Sequence, residues 1–266
     1  MPIVTISRGS YTRGREIAEK LSAKMKYELV SREVLIEASE QFNISEVKLE
    51  RALHDPISVL DRFTNGRKRY YEYIRSALLK HLEKDNVVYH GLAGHAFIPN
   101  LNHLLRVRIR ADIDDRVKRE SERENISQED ARYLLTKDDE ERRKWSIHIT
   151  GHDPCEPSQY DIIFNASKIA SDDIVDIIAQ TLNKPYLQNN PESQKKLEEL
   201  AKSTEIKAQL IHKYPSMDVS IKDQTAIIRV EADLEREETI TRSIQEDIQK
   251  ISDIKDVRVS LIPLVG

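Results

Sequence analysis

The chain has 266 residues, of which 33% are charged and 39% are hydrophobic, values that exclude wholesale disorder and allow two globular units. Its formal net charge of −4 lacks the basic excess that general binding to nucleic acid or anionic membranes requires. A single cysteine, Cys155, excludes an intramolecular disulfide framework, and without a leader-like start or a run of about 18 apolar residues we expect a cytoplasmic protein.

The first residues of the chain predict a strand, a tight turn and a helix in immediate succession. Residues 3–6 are apolar or β-branched, and the serines and glycine within 7–10 favour a turn. After the turn, apolar residues recur at helical spacing over 17–25. Strand, turn and helix together make half of a βαβ unit, the building block of parallel sheets.

The middle of the chain alternates between helical and strand patterns. Residues 31–85 are almost wholly helical in pattern, with proline or glycine breaks at 55–56 and 65–66. This alternation predicts an α/β fold, a mostly parallel sheet with helices on both faces. The strand predicted at 104–110 alternates apolar and basic residues, which suggests a place near the sheet edge or one solvated face. Further predictions are strands at 86–89 and 160–165 and helices at 67–84, 114–124, 127–145 and 172–182.

The composition changes at residues 183–191, a polar stretch with two prolines that we interpret as a linker. The following residues predict a helix, two strands, a helix and a strand, an order that fits a small α+β domain. We therefore predict a first domain at 1–183, a linker with the start of a helix at 184–202, and a small α+β domain at 203–266. The elements are helices at 192–213 and 235–251 and strands at 217–221, 226–230 and 257–261.

The glycines of the first turn have the spacing of a phosphate-binding P-loop. Such a turn directs backbone N–H groups and a helix N-terminus towards a phosphate. Gly9 and Gly14 fit the pattern GxxxxGK[ST], but Arg15 and Glu16 stand where that pattern has a lysine and a hydroxyl residue. In an alternative register Gly14 takes the lysine position and Arg13 becomes the nearest cation. An ordinary βα turn with surface arginines fits the same residues, so the sequence leaves all three interpretations open.

Several short segments occur together in one order: VTISRGS at 4–10 with GREIAEKL at 14–21, VVYHGLA at 87–93, RVKR at 116–119, DEER at 139–142 and YDIIFN at 160–165. In this combination the chain resembles the cytidylate kinase-like family, within the P-loop nucleoside monophosphate kinase class. The likeness covers residues 2–182 and rests on the whole set of segments, because no single motif is decisive.

The resemblance implies an α/β fold with a P-loop kinase-like parallel sheet and helices on both faces, a helical segment that binds the phosphate acceptor, and a mobile lid. It also implies ATP as the phosphoryl donor, and Mg²⁺, whose ligands the motifs do not identify. Arginines suit such a site because cations stabilise the negative charge of the transferred phosphoryl group. The lid arginines also alternate with glutamates at helical spacing, which fits a solvated helix with ion pairs. The implied residues are Gly9, Ser10, Thr12, Arg13, Gly14, Arg15, Arg116 and Arg143 for the donor phosphates, and Arg15, Arg119 and Arg142 for catalysis.

On the acceptor side the chain departs from the family pattern. The family has a glycine–arginine pair after the second strand, whereas this chain has His90-Gly91-Leu92, which leaves cytidine monophosphate specificity open. The histidines, aspartate and cysteine within 148–155 follow no closed four-ligand spacing, so we expect no metal site there. The candidate acceptor ligands are Arg32, Arg62, Arg67, Arg75, His90, Gly91 and His95.

The segments TAIIRV at 225–230 and IKDVRVS at 254–260, with the α-β-β-α-β order of 206–264, resemble a BON domain. That resemblance implies a binding module, which we interpret as a regulatory or oligomerising domain through which a homo-oligomer would form. We interpret the whole chain as an ATP-dependent phosphotransferase of the nucleoside monophosphate kinase type. Its expected partners are a nucleotide and a small phosphate acceptor, with no nucleic acid and no membrane. A catalytically weak nucleotide-binding sensor is the alternative, favoured by the absent lysine.

Overall fold

The chain is described as a computed structural model that covers residues 2–8, 11–49, 66–91, 94–98, 101–233, 236–254 and 256–263. By their contacts these residues form two compact units. The first unit contains the described residues of 2–34 and 84–193, and the second contains those of 35–49, 66–83 and 194–263.

A parallel sheet forms the centre of the first unit. Its strands are β1 (Ile3–Arg8), β2 (Glu28–Val30), β3 (Val87–His90), β4 (Leu104–Arg110) and β5 (Ile162–Asn165), in the spatial order β2-β3-β1-β4-β5. All neighbouring strands in this sheet are parallel, which confirms the predicted α/β fold. The sequence did not predict β2, because three residues are too short for an alternating pattern to be recognised.

The helices follow the predicted order closely. The helix predicted at 67–84 spans 66–82 in the structure, and the one predicted at 127–145 extends to residue 150. Within the described part of the chain, no helix is both long and apolar enough to cross a bilayer. The helices are α1 (Tyr11–Met25), α2 (Glu33–Phe42), α3 (Gly66–Leu82), α4 (Gly94–Phe97), α5 (Ile113–Glu124), α6 (Gln128–Thr150), α7 (Ser171–Leu182), α8 (Pro191–Leu210) and α9 (Glu237–Ile251).

Helices α1 and α7 pack against one face of the five-stranded sheet. Ile6 of β1 and Val107 of β4 lie in one buried cluster with Ile17 of α1 and Ile178 of α7. Each such side chain contributes about 1.5–3 kcal/mol when it is fully buried. Because side chains alternate along a strand, the residues between these apolar ones, including Ser7, face the opposite side of the sheet.

The second unit contains a mixed three-stranded sheet in the order β6-β7-β8. Strands β6 and β7 are antiparallel and joined at Asp223 and Gln224, whose φ angles of 51° and 63° match a two-residue hairpin turn. Strands β7 and β8 are parallel and joined through α9, so the predicted α-β-β-α-β order is confirmed. Ile206 and Ile244 represent the apolar face of the helices against this sheet. The strands are β6 (Asp218–Lys222), β7 (Thr225–Ala232) and β8 (Asp256–Pro263).

The same unit contains the helices that the sequence assigned to the acceptor side. The rings of Phe42 in α2 and Tyr73 in α3 are stacked with centroids 4.1 Å apart. Glu72 of α3 forms a mostly buried ion pair with Lys207 of α8, with 3.0 Å between Oε1 and Nζ. Helix α3 therefore packs with the C-terminal part of the chain.

Candidate functional site

The candidate site lies at the carboxyl ends of the parallel strands, which we call the carboxyl edge. Ligands of open α/β sheets bind at this edge, where helices begin and loops converge. Strand β1 is central, and its register places Ile6 beside His90 of β3 and Ser7 beside Arg108 of β4. The end of β1 is thus flanked by the ends of β3 and β4.

The glycine turn is shorter than its spacing predicts. Strand β1 ends at Arg8 and α1 begins at Tyr11, so residues 11–14, which were expected in the turn, are helical. Gly14 is buried within α1. Gly9 and Ser10, and the side chain of Thr12, lie outside the described residues. The first turn of α1 still has backbone N–H groups without partners inside the helix, which is the feature that binds phosphates.

Arg13 points inward and connects several segments at the carboxyl edge. Its guanidinium donates to the carbonyl oxygen of Ala166, which follows β5, and lies 3.2 Å from Asp115 Oδ2 in α5. The side chain is only 14% exposed. Ser167 donates to the same Asp115 carboxylate over 3.2 Å. Arg13 therefore holds α1, α5 and the β5–α7 connection together.

Arg15 has the opposite environment. Its side chain is 62% exposed, and its Nε atom donates to Glu19 Oε1 over 2.8 Å, one turn further along α1. Glu16, at the position of the P-loop hydroxyl, pairs with Lys20 over 3.0 Å. Both residues lie on the outer face of α1, so a role for Arg15 at the phosphates stays a prediction.

Helices α5 and α6 form a hairpin that corresponds to the predicted lid, which we call the lid hairpin (residues 113–150). Ser127 caps α6, because its Oγ accepts from the Asp130 N–H, as the capping-box pattern predicts. Arg116 joins the two helices by a bidentate pair with Asp139, at 2.5 and 2.9 Å. An ion pair between its two helices thus helps to hold the lid hairpin together.

The other candidate arginines of the lid hairpin are also paired with carboxylates. Arg119 lies 3.5 Å from Asp115, Arg142 lies 2.5 Å from Asp138, and Arg143 lies 2.6 Å from Asp153. Hydrogen bonds from the Cys155 N–H and then from Arg143 lower the pKa of Asp153. These arginines would have to exchange a carboxylate for a phosphate in order to act in phosphoryl transfer.

Two glycines near the end of β3 leave room for a tyrosine ring close to the backbone. A Cβ atom added to Gly91 would lie 2.5 Å from Cζ of Tyr89, and one added to Gly94 would lie 2.6 Å from its Cδ1. Tyr89 is buried, so its ring cannot move aside. Sequence reasoning did not single out Tyr89, although the glycines on its carboxyl side are a signal for such a close approach.

The candidate acceptor residues do not all belong to one unit. His90 is buried at the end of β3, and Arg32 is exposed before α2, both in the first unit. Arg75 belongs to α3 in the second unit, 3.7 Å from Glu72. His95 lies in α4, but its side chain and that of Arg67 are outside the described part, as is all of Arg62.

A polar cluster on β4 was not recognised from the sequence as part of a site. Arg108 Nη1 donates to the Tyr160 hydroxyl over 3.0 Å, and that hydroxyl also lies 3.3 Å from Ser7 Oγ. Strand β4 lies one strand in from the sheet edge, and its Arg106 is covered by Asp161. The alternating basic residues of 104–110 were the signal in the sequence for this cluster. The partners of Arg106 and Arg108, Asp161 and Tyr160, become known only from the fold.

Within the described ranges, no group of three or more His, Cys, Asp or Glu residues could hold a metal ion. Cys155 is exposed in the loop after α6, and His152 lies 3.9 Å from Glu156. The cluster at 148–155 thus has hydrogen-bonding and ion-pairing roles in the structure.

Comparison with known proteins identifies the family of this chain. The sequence model of the cytidylate kinase-like family matches residues 3–168. A cytidylate kinase from Sulfolobus acidocaldarius is 25% identical over 174 residues, which are 65% of this chain and 90% of that protein. An uncharacterized protein from Eubacterium ventriosum has a similar fold, with a TM-score of 0.51, 21% identity, and coverage of 68% of this chain and 98% of that one. Shikimate kinase from Bacteroides thetaiotaomicron aligns with a TM-score of 0.43 and 14% identity, over 69% of this chain and 99% of that one.

Proposed function

Because the chain belongs to the cytidylate kinase-like family, we propose that it is an ATP-dependent phosphotransferase whose acceptor is a nucleoside monophosphate. The family match over 3–168 carries this proposal, since it includes every strand of the five-stranded sheet and the whole lid hairpin. The cytidylate kinase of Sulfolobus acidocaldarius, matched over 90% of its length, supports the same class of acceptor.

The first turn of α1 would bind the donor phosphates through its backbone N–H groups. The arginines of the lid hairpin would stabilise the charge on the transferred phosphoryl group, since such catalysis consists mostly of positioning and cationic stabilisation. Their carboxylate partners hold the guanidinium groups in place until the lid closes and excludes water. The described residues offer no cage for a metal ion. Mg²⁺ would enter with ATP and would be held by phosphate oxygens, water and one or two carboxylates, the usual ligands of this ion.

On the acceptor side we propose Arg32, Arg75, His90, Gly91 and His95. A guanidinium binds a phosphate by two parallel hydrogen bonds, which makes Arg32 in the first unit and Arg75 in the second each a candidate for the acceptor phosphate. His90-Gly91 replaces the glycine–arginine pair of the family, and the panel of nucleoside monophosphates described below tests which base the acceptor carries.

The test is ADP formation from ATP and Mg²⁺ across a panel of nucleoside monophosphates, with nucleotide binding measured by calorimetry. We expect turnover that depends on the acceptor and falls about 100-fold in Arg142→Gln. Arg258→Gln serves as the control, because Arg258 is an exposed residue of β8 in the second unit. Absence of turnover with every acceptor would reject the kinase proposal.

The alternative is a nucleotide-binding sensor with weak or no catalysis. It is favoured by the exposed Arg15–Glu19 pair and by the absence of a lysine from the glycine turn. Nucleotide binding without turnover, unchanged by Arg15→Ala, would support the sensor.

For the C-terminal part we propose a BON-like regulatory or oligomerising domain, with domain limits at 1–183, 184–202 and 203–266. The α8-β6-β7-α9-β8 order supports this, and the two edge strands β6 and β8 offer backbone groups to a partner. Sedimentation of the full chain with and without ATP tests it, and an unchanged monomer in both conditions would reject the oligomerising role.

A further inference from the structure

The absent P-loop lysine raises the question of which cation meets the donor phosphates. Arg108 of β4 is half-buried on the sheet face opposite α1 and α7. Its described partners are neutral: Nη1 donates to the Tyr160 hydroxyl over 3.0 Å, and Nη2 lies 3.5 Å from Cys155 Sγ. Its guanidinium carbon also lies 5.3 Å from the centre of the Tyr160 ring.

The neighbouring arginines differ because carboxylates already compensate their charge. Arg106, two residues earlier on the same strand face, pairs with Asp161 over 3.2 Å. Arg13 and Arg116 pair with Asp115 and Asp139. None of the ion pairs among the described residues includes Arg108. A half-buried guanidinium without a counter-ion is unfavourable, and an anion that binds beside it removes that penalty.

Arg108 lies beside the strand that enters the phosphate turn. It is in register with Ser7, and the next register pair is Arg8 with Ile109. Arg110 follows on the same strand face, about 6.6 Å further along, and is exposed at the carboxyl edge. The Tyr160 hydroxyl, 3.3 Å from Ser7 Oγ, joins Arg108 to the end of β1. Two arginines of β4 therefore lie beside the end of β1.

We propose that Arg108, with Arg110 beside it, binds phosphate oxygens of the nucleotide and supplies the charge that a lysine supplies in other P-loops. The inference rests on the proposed function for the identity of the nucleotide. A guanidinium fork can hold two phosphate oxygens at once, which a lysine cannot do in the same fixed geometry. Tyr160 fixes the direction of that fork.

The experiment measures binding of tripolyphosphate and of ATP to the full-length chain by calorimetry. Arg108→Gln is expected to weaken tripolyphosphate binding at least about tenfold, the loss typical of a charged hydrogen bond. Arg110→Gln should lose less affinity for tripolyphosphate than Arg108→Gln. The affinity of Arg108→Lys should lie between those of wild type and Arg108→Gln. The matched control is Arg106→Gln on the same strand face, which should lower the thermal midpoint and leave the affinity within about twofold.

The inference is wrong if Arg108→Gln binds tripolyphosphate as tightly as wild type, if Arg106→Gln loses the same affinity, or if wild type does not bind tripolyphosphate. Should Arg108→Gln fail to fold, Arg108→Met keeps the apolar stem and takes its place with the same expected loss. Arg108-dependent binding without phosphoryl transfer would reject the kinase and leave this inference standing. Transfer that is unaffected in Arg108→Gln would reject the inference alone.

Discussion

Arg13 and Arg15 are two positions apart in the first turn of α1 and have opposite environments. Arg13 is largely buried and connects Ala166 and Asp115, whereas Arg15 is exposed and pairs with Glu19 on its own helix. Either residue could replace the lysine on sequence grounds alone. The structure makes Arg13 a structural connection and leaves Arg15 with an ion pair of the kind that adds little stability.

This difference predicts unequal effects on stability. Arg13→Gln should lower the free energy of unfolding by about 2 kcal/mol, because a mostly buried carbonyl and carboxylate lose a charged donor. Arg15→Gln, the matched control, should change it by less than about 0.5 kcal/mol. Urea denaturation followed by circular dichroism measures both. Equal stability of the two variants, with ATP binding lost only in Arg13→Gln, would instead assign Arg13 to the phosphates.

Gly94 gives a second prediction at the level of single residues. Gly94→Ala should destabilise the chain by about 1–3 kcal/mol, since the added methyl group would lie 2.6 Å from Cδ1 of the buried Tyr89 ring. Tyr89→Leu should restore part of that loss in the double variant. Gly151→Ala is the control, because Gly151 has a φ of 75° and open space around it. Its loss of stability would come from backbone strain, so Tyr89→Leu should not reduce that loss. Thermal unfolding of the three single variants and of the two double variants with Tyr89→Leu decides, and the absence of rescue would contradict the proposed clash.

At the scale of elements, the lid hairpin is stabilised by an unusually good ion pair between its two helices. Arg116 binds Asp139 in bidentate geometry and is 11% exposed, whereas Arg123 pairs with Glu120 on a single exposed helix face. Arg116 is also a candidate phosphate ligand. A phosphate that binds Arg116 would have to displace the Asp139 carboxylate.

A double-mutant cycle tests the strength of this pair. The coupling energy of Arg116→Gln with Asp139→Asn should be about 1–2 kcal/mol, and that of Arg123→Gln with Glu120→Gln should stay below about 0.5 kcal/mol. Chemical denaturation of the full chain supplies the free energies. Equal couplings for the two pairs would show that the interhelical geometry adds nothing to an ordinary surface pair.

At the scale of the whole molecule, the second unit joins distant parts of the sequence through charged contacts. Helices α3 and α8 share the Glu72–Lys207 pair, and Glu83, just after α3, lies near Glu198 and Glu205 of α8. Burial and then these two carboxylates raise the pKa of Glu83 above its usual 4.5. The Glu83 carboxyl of the folded chain therefore stays protonated at pH values where that of the unfolded chain is ionised.

The sign of the pH dependence follows from that shift. A raised folded pKa contributes stability below the unfolded pKa, and this contribution is lost as pH rises through the folded pKa. Glu83→Gln should thus be more stable than wild type near about pH 7, and the difference should vanish towards about pH 4. Asp223→Asn should be less stable than wild type near about pH 7, because the hydrogen bond from Lys195 lowers the pKa of Asp223. This difference should be lost only as the pH falls below about 3.9, the value of an unfolded aspartate. Denaturation from about pH 7 to below about pH 3.9 checks both variants, and the same pH dependence for the two would contradict the assignment.

Much of the fold could be predicted because its signals are local. The apolar period over 17–25 and the β-branched strand at 3–6 identify α1 and β1 without any partner, and the alternation of such elements identifies the parallel sheet. The limits of elements were less predictable. The glycine spacing predicts a turn up to Gly14, whereas helix α1 already begins at Tyr11. The same residues can form either the end of a loop or the first turn of a helix.

The candidate site could be predicted only in part, since its residues become neighbours through the fold. The sequence by itself determined the order of strands and helices, the class of sheet and the family resemblance of the glycine turn and lid segments. Only the tertiary structure decided that Arg13 faces inward to Ala166 and that the lid arginines bind carboxylates. It also decided that Arg108 lies beside β1 without a carboxylate partner among the described residues. The physical reason is that periodicity is a property of neighbouring residues, whereas the compensation of a charge depends on groups that can be 153 positions apart.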